Sequence, residues 1–293
     1  MQRLDQAQAS AFRKLTYAHF RSLLDALDPE HTIAIGESCF GQPVGLALAR
    51  RHPNHEVAHV RSIFVKTPFR GRGLGAALLE ALEDELQRCG FARVTAEYAT
   101  PRPSTPAVER MLAGRGWDVP APSYVIAHSP AVKIMKAPWL YDYDVPDDYR
   151  IIPWEEVQPE ALEDIRQEQE NKPFVEEGLL PFPIGVPVDP ETSLGLRHRG
   201  VLVGWMLTKR VAPGTLLYDR LYVRPEYRRL GRAVPLLAAT IKRQYALEGH
   251  RPGCGGIWRT DASNRPMVAF IKRRLGPYLD SLTEVYRVEK NLC

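Results

Sequence analysis

The stretch Arg-Gly-Arg-Gly-Leu-Gly at residues 70–75 has a counterpart in the same chain, Arg-Arg-Leu-Gly-Arg-Ala at residues 228–233. Each hexapeptide follows a short apolar run that ends in valine, Val65 or Val223, and precedes a segment that carries a Leu-Leu pair. Corresponding residues differ by 158 in number, as 70 and 228 or 65 and 223 do. This constant offset between two strand–turn–helix patterns indicates an internal duplication with one phosphate-cradling loop in each half.

Both loops are predicted to hold an anion through main-chain N–H groups. The first N–H groups of a helix have no intrahelical partner, and the helix dipole adds partial positive charge there. Glycines leave the backbone open to phosphate oxygens, and arginines add charge-assisted hydrogen bonds. Arg229 stands where the first loop has Gly71, so the second loop is predicted to be tighter. An ordinary turn before a helix is the alternative for either loop alone, but it explains a matched pair poorly.

The pattern Arg/Gln-x-x-Gly-x-Gly/Ala after a strand ending in valine resembles the acyl-CoA-binding motif of the GNAT superfamily of N-acetyltransferases. It differs from the Gly-x-Gly-x-x-Gly spacing of dinucleotide-binding proteins and lacks the Gly-Lys-Ser/Thr ending of a P-loop. Gly116-Trp117 and the run Asn264, Met267, Phe270, Leu275-Gly276 are similar to other stretches of the family. The resemblance covers most of the chain, as two halves, and is strongest at the loops.

The resemblance implies an α/β fold (α+β in some schemes) with two GNAT-like domains, each a mixed, mostly antiparallel sheet flanked by helices. We expect these domains at residues 1–136 and 145–293, joined by an acidic, turn-rich linker at 137–144. Acetyl-CoA or another acyl-CoA is the implied cofactor. Its implied contacts are Ile63, Phe64, Val65, Arg70, Gly71, Arg72, Gly73, Leu74 and Gly75 in the first half, and Leu221, Tyr222, Val223, Arg228, Arg229, Leu230, Gly231, Arg232, Ala233 and Asn264 in the second.

The two halves differ at the position where the family often carries its acidic base, about four residues before the terminal valine of the strand. The second half has Asp219 there, and the first half has Arg61, which cannot accept a proton. The resemblance therefore favours chemistry in the second half, with Asp219 as the base. The alternative is a structural carboxylate on an exposed strand, paired with Arg220 or Arg228.

The tyrosine that protonates the leaving thiolate in the family has no match near Ile271 or Leu112. The nearest substitutes are Tyr278, which is the predicted catalytic acid, and Tyr98, and either is also a candidate core residue. Asn264 has a second interpretation as the cap of a helix that begins at the next residue.

Composition limits the remaining possibilities. The 293 residues suffice for two domains, and a net charge of +4 without an aromatic-basic stripe predicts no nucleic-acid partner. No apolar run approaches the length of a membrane span, and the first residues do not resemble a signal peptide, so a cytoplasmic protein is expected. The four cysteines lack metal-ligand spacing, which predicts reduced thiols and no metal site.

The sequence therefore predicts acyl-CoA-dependent acyl transfer to a primary amine of a small molecule or peptide, by direct attack without a covalent intermediate. One alternative is transfer of a longer acyl chain, because an irregular stretch carries apolar residues that could line a channel or belong to the core: Phe174, Leu179, Leu180, Phe182 and Ile184. The other alternative is a non-catalytic acyl-CoA-binding scaffold. Two fused halves are compatible with a monomeric pseudo-dimer or with a homodimer.

Overall fold

The structure is a computed structural model that describes residues 1–51, 56–182, 185–228, 231–249 and 251–292. Arg229 and Leu230 of the second loop, and Ile184, lie outside the described residues. The strands are β1 (Gln2–Arg3), β2 (Thr32–Cys39), β3 (Gln42–Arg51), β4 (Val57–Val65), β5 (Arg93–Thr100), β6 (Ala121–Pro130), β7 (Tyr149–Pro153), β8 (Leu194–His198), β9 (Val201–Ala212), β10 (Thr215–Val223), β11 (Gly255–Asp261) and β12 (Ser281–Asn291). The helices are α1 (Gln6–Ala9), α2 (Arg21–Asp25), α3 (Leu74–Arg88), α4 (Thr105–Ala113), α5 (Ala131–Ile134), α6 (Pro159–Asn171), α7 (Pro225–Arg228), α8 (Ala233–Glu248) and α9 (Arg265–Phe270).

The two long helices that follow the loops begin and end where local sequence signals place them. Helix α3 starts directly after Gly73 and stops before Gly90, whose φ of 79° is a left-handed conformation that suits glycine. Helix α8 carries Pro235 in its first turn, where a missing N–H breaks no intrahelical hydrogen bond. Both helices bury their Leu-Leu pairs completely or almost so, and each pair anchors its helix on a sheet.

The first unit contains residues 1–123 and the chain from Glu284 on. Its strands lie in the order β1-β2-β3-β4-β5-β12, and all neighbours are antiparallel except β4 and β5, which are parallel. Helix α3 packs on one face around Leu78, Leu79 and Leu82. Residues 4–27 pack on the opposite face, where Phe12 and Leu24 are buried.

The second unit contains residues 124–283, with the strand order β6-β11-β10-β9-β8-β7. The pair β10–β11 is parallel and the other neighbours are antiparallel. Helix α8 packs on one face, and α6 with residues 172–182 packs on the other. Each unit therefore has six strands in a mixed, mostly antiparallel arrangement with helices on both faces, which confirms the predicted fold class.

The compact units do not coincide with the expected division at residues 137–144. The last strand, β12, completes the first sheet by pairing with β5 from Glu284 to Asn291. Strand β6 pairs with β11 in the second unit from Tyr124 to Pro130. The expected linker also includes Trp139 and Leu140, which are buried in the core of the second unit. Each unit thus contains a strand from the other half of the sequence.

Among the residues that the structure describes, no helix has the length and apolar character that a membrane crossing requires.

Candidate active site

In the first unit, β4 separates from its parallel neighbour at a β-bulge. Pairing with β5 runs from Val57 to Val60 and extends no further along the described strands. On the other side, the register with β3 shifts between Val60 and Ser62, so Arg61 has no opposite residue. A bulge bends a strand and increases its twist. We call the opening between residues 61–65 of β4 and residues 97–100 of β5 the first gap.

The second unit repeats this geometry with the same offset. Pairing of β10 with β11 runs from Thr215 to Tyr218, and the register with β9 shifts between Tyr218 and Arg220. Asp219 therefore occupies the bulge position that Arg61 holds in the first unit. We call the opening between residues 219–223 of β10 and residues 259–261 of β11 the second gap.

Each gap faces a main-chain N–H, near the end of its strand, that pairs with no neighbouring strand among the described residues. Lys66 N donates to Val44 O at 2.9 Å, and Arg224 N donates to Val203 O at 2.9 Å. Successive peptide groups of a strand point in opposite directions, so the amides of Val65 and Val223 face the gaps. A donor at this place can stabilise negative charge that develops on a thioester carbonyl oxygen.

The first arginine of each loop ties the loop back to its strand. Arg70 Nε donates to Val65 O at 2.8 Å, and its guanidinium lies 5.6 Å from the Phe64 ring centroid. Arg228 Nε donates to Val223 O at 2.6 Å, and its guanidinium lies 4.9 Å from the Tyr222 ring centroid. These matched contacts assign both arginines a structural role at the start of the loop.

Glycine is required in both loops by backbone conformation. Gly71, Gly73 and Gly231 have φ values of 74°, 81° and 72°, in the left-handed region that residues with a Cβ rarely adopt. Gly75 differs, because a Cβ there would meet Met111 Sδ at 3.6 Å, an ordinary contact. Among the described residues, no side chain caps the N-terminus of α3 or α8, so main-chain donors such as that of Leu74 are available to an anion.

Other predicted loop residues differ in their surroundings. Arg72 is exposed, whereas the guanidinium of Arg232 lies 4.8 Å from the Tyr149 ring centroid. Asn264 caps α9, since its side chain accepts a hydrogen bond from Met267 N at 3.2 Å. Leu221 and the Val223 side chain pack in the core cluster under α8, together with Ala233. Leu221 and Val223 can therefore face the second gap only with their main-chain groups.

The Asp219 carboxylate lies between two cations. Its Oδ2 is 2.9 Å from Lys209 Nζ and 3.1 Å from Arg220 Nε, and the Asp219 side chain is 21% exposed. Neither contact has hydrogen-bond geometry, so the attraction is mainly Coulombic. Arg220 is one of the two partners that the sequence suggested, and Lys209 is a partner that it did not suggest.

The first gap contains a different set of charges. Arg61 is half-buried, and burial, followed by the nearby Arg50, lowers its pKa. Glu97 lies on β5 one residue beyond the last paired position and accepts a hydrogen bond from Ser123 Oγ at 3.2 Å. Burial and then a hydrogen bond to Glu109, at 3.2 Å, raise the pKa of Tyr98 to about 12. Tyr98 is therefore a weak proton donor at neutral pH.

Tyr278, the predicted acid of the second half, lies in a 3-10 turn after a π turn at Ile271–Leu275. Its ring is half-buried against the core, and its carbonyl accepts a hydrogen bond from Ser129 Oγ at 2.7 Å. Its hydroxyl group makes no hydrogen bond with another residue that the structure describes. The catalytic assignment of Tyr278 stays a prediction.

Residues 172–182, which we call the cover segment, lie over the face of β10 that is opposite α8. Trp205 Nε1 donates to Leu179 O at 2.8 Å, and the buried Arg220 donates to Leu180 O at 2.5 Å and to Phe182 O. Four apolar side chains of the segment pack in one cluster with Trp205 and Tyr222: Phe174, Leu179, Leu180 and Phe182. This packing favours the core interpretation of these residues over an open acyl channel.

The cover segment encloses the Tyr222 side chain. Tyr222 is 2% exposed, and its ring stacks on Trp205 with centroids 4.7 Å apart. Its hydroxyl group has no hydrogen-bond partner among the described residues, and burial raises its pKa. Arg224 contacts the segment with its guanidinium 4.8 Å from the Phe174 ring centroid, and it forms a bidentate pair with Glu168 of α6 at 2.8 and 2.6 Å.

Sequence reasoning missed the residues that surround each bulge. Lys209 of β9 is opposite Leu217 of β10, and Arg50 of β3 is opposite His59 of β4. His59 and Leu217 differ by the same 158 residues, so Arg50 and Lys209 hold corresponding places. The offset was the available signal, but a register shift at the bulge hides which side chains become neighbours.

Comparison with known proteins gives the same architecture. A sequence profile described as "Acetyltransferase (GNAT) family" matches residues 1–112 and 147–276. Similar solved structures include a tandem GNAT protein from the clavulanic acid biosynthesis pathway (18% identity, 99% of this chain and 98% of that chain, TM-score 0.61). A GCN5-related N-acetyltransferase from Sphaerobacter thermophilus is also similar (19% identity, 99% and 95% of the two chains, TM-score 0.57). At these identities the likeness supports the fold alone. A search among curated proteins found no match.

Proposed function

Because the chain belongs to the GNAT family of acetyltransferases, we propose that it transfers an acetyl group, or a longer acyl group, from CoA to a primary amine. The observation that carries this proposal is the duplicated gap with its loop and free amide. The thioester would lie in the gap, and the pyrophosphate of CoA would lie at the start of α3 or α8. The acceptor is proposed to be a small molecule or a peptide, and the compartment to be the cytoplasm.

Direct attack of the amine on the thioester is the proposed route. The amide of Ile63 or Val65 in the first gap, or of Leu221 or Val223 in the second, would donate to the carbonyl oxygen as the tetrahedral intermediate forms. The CoA thiolate is then expelled as the carbonyl re-forms. A cysteine nucleophile is not favoured in the second unit, because burial raises the pKa of the Cys254 thiol and keeps it protonated.

We propose Asp219 as the group that takes the proton of the attacking ammonium in the second gap. It is the carboxylate at the bulge, and its Oδ2 lies 2.9 Å from Lys209 Nζ and 3.1 Å from Arg220 Nε. Asn264 is proposed to contact CoA through the part of its amide that the helix cap leaves unused.

Turnover and binding measured together test the assignment of Asp219. In Asp219→Asn, acyl-CoA binding by native mass spectrometry should match the parent, while the rate of CoA release with an amine panel falls about a hundredfold or more. The matched control is Asp280→Asn, an exposed carboxylate of the same unit that is paired with Lys133. Unchanged turnover in Asp219→Asn would contradict the role of Asp219 as the base and leave it a structural role in its ion pairs.

A non-catalytic acyl-CoA-binding protein is the second candidate. It is favoured by the ion pairs of Asp219 and by the closed packing of the cover segment over β10. In that case two molecules of acetyl-CoA would bind per chain, and no amine in the panel would accelerate CoA release from the parent. Acetyl-, octanoyl- and decanoyl-CoA compared in the same assay would test the preference for chain length.

A further inference from the structure

The bulge of the first unit carries two cations where the second unit has an ion pair. Arg61 stands in the place of Asp219, and Arg50 stands in the place of Lys209, as the registers of β3–β4 and β9–β10 establish. In the second unit Lys209 Nζ neutralises Asp219 at 2.9 Å. In the first unit the two side chains repel each other, since both carry positive charge.

Among the residues of the first unit that the structure describes, none neutralises the charge of Arg61 by a direct contact. Its guanidinium is half-buried and forms no hydrogen bond or ion pair with the residues that the structure describes. Glu97 attracts it at longer range, and that attraction is smaller than the effects of burial and Arg50. A half-buried arginine usually has a carboxylate or phosphate partner, because desolvation of an unpaired charge is unfavourable.

We propose that Arg61 and Arg50 form a carboxylate-binding site at the first gap, which recognises an acidic substituent on the acyl group or on the amine. The inference rests on the acyl-CoA site proposed for the same unit. A bound carboxylate would relieve the repulsion between the two guanidinium groups and accept paired N–H donors from the fork of Arg61.

The position of Arg61 along the strand fits a substituent close to the reacting carbonyl. Arg61 precedes Ile63 by two residues, or about 7 Å along a strand. The amide of Ile63 faces the gap for the same reason as that of Val65. The arginine side chain can span much of that distance, so a carboxylate a few bonds from the carbonyl would reach it. The same argument holds for a carboxylate on the incoming amine, which approaches the same carbon.

Two pairs of probes distinguish the sources of the carboxylate. Acetyl-CoA and succinyl-CoA differ by a carboxylate on the donor, and their affinities can be measured by calorimetry. Cadaverine and lysine differ by a carboxylate on the acceptor, and their affinities in the presence of CoA can be measured by the same method. Each pair is applied to the parent, to Arg61→Gln and Arg50→Gln, and to Arg102→Gln as an exposed arginine of the same unit.

In one of the two pairs, we expect the parent to prefer the acidic probe by about tenfold or more. Arg61→Gln should abolish that preference, Arg50→Gln should reduce it, and Arg102→Gln should keep it. Arg61→Lys, which retains the charge, should restore part of it, and thermal melts identify any variant that fails to fold. If acetyl-CoA still binds and Arg61→Gln equals the parent with both pairs, the carboxylate site is refuted while the proposed function stands. If no acyl-CoA binds to the parent, the proposed function fails and this inference fails with it.

Discussion

The two units retain the same contacts at the cofactor loop and differ on the face where an acceptor would enter. Arg70 and Arg228 donate to corresponding valine carbonyls, and Phe64 and Tyr222 lie at corresponding places beside them. At the bulge, by contrast, the charge is reversed. The duplicated chain has therefore kept the contacts of the loop at which we propose that acyl-CoA binds, and it has varied the bulge, where the proposed acceptor would enter.

The helices behind the two gaps also differ in one buried position. Glu83 of α3 is buried and accepts hydrogen bonds from Arg115, from Trp117 Nε1 at 2.8 Å and from Lys290 Nζ at 2.6 Å. The corresponding residue of α8 is Ile241, which lies in the apolar core of the second unit. The first unit therefore depends on a buried charge network where the second depends on apolar packing.

The largest expected effect concerns this network. Glu83→Gln removes the buried charge that two half-buried cations and an indole share, and it should lower the free energy of unfolding by about 3 kcal/mol or more. Urea unfolding followed by circular dichroism would measure the loss. The control is Glu80→Gln on the same helix, whose side chain is 56% exposed. Equal losses in the two variants would contradict the network's importance.

The next effect compares two side chains, each of which attaches a segment to the strands of its unit: residues 172–182 in the second unit and residues 4–27 in the first. Arg220 holds the cover segment through two carbonyls, and the corresponding Ser62 makes a 2.8 Å hydrogen bond with Thr16. Arg220→Met should cost about 2–3 kcal/mol because charged hydrogen bonds are lost, and Ser62→Ala about 1 kcal/mol. Hydrogen exchange should locate the first loss in residues 172–182. Protection of that segment in Arg220→Met equal to the parent would contradict the attachment.

Glycine turns and apolar spacing predicted the helices that follow the loops, because these signals lie within the helical segments themselves. Helices were expected directly after the two loops, and α3 and α8 begin there. The pairing of β12 with β5 was not predicted. Strands so distant in sequence carry no local signal of their partner, since alternating apolar residues fit several neighbours.

The candidate site was predictable to a similar extent. The loop residues and Asp219 could be found from spacing alone, because the family motif and the offset of 158 fix their positions. The ion pair of Asp219 with Lys209 could not, since a one-residue bulge changes which side chains meet across β9 and β10. The same bulge is what brings Arg50 near Arg61 in the first unit.

A smaller effect should distinguish the two loops in cofactor binding. Gly73→Ala and Gly231→Ala each force a Cβ into a left-handed conformation, at a cost of about 1–2 kcal/mol and so about tenfold or more in affinity at that loop. Native mass spectrometry with acetyl-CoA would record the loss of one bound molecule. Gly75→Ala is the control supplied by the chain itself, because Ala233 occupies that position in the second loop. If Gly75→Ala weakens binding as much as Gly73→Ala, backbone conformation is not the reason for the glycines.

The smallest expected effect is the pH dependence of the stability that the Glu168–Arg224 pair contributes. The first unit has Lys66 at the position that corresponds to Arg224. The hydrogen bond from Arg224 lowers the pKa of Glu168, so the pair stabilises the fold above the ordinary glutamate pKa. This contribution is lost as the pH falls through the lowered pKa. The Glu168 side chain is 43% exposed, and solvent screening limits the effect to at most about 1 kcal/mol. Urea midpoints of the parent and Glu168→Gln should therefore differ at pH 7 and converge in acid, whereas a difference independent of pH would mean that packing, and not charge, holds Arg224 in place.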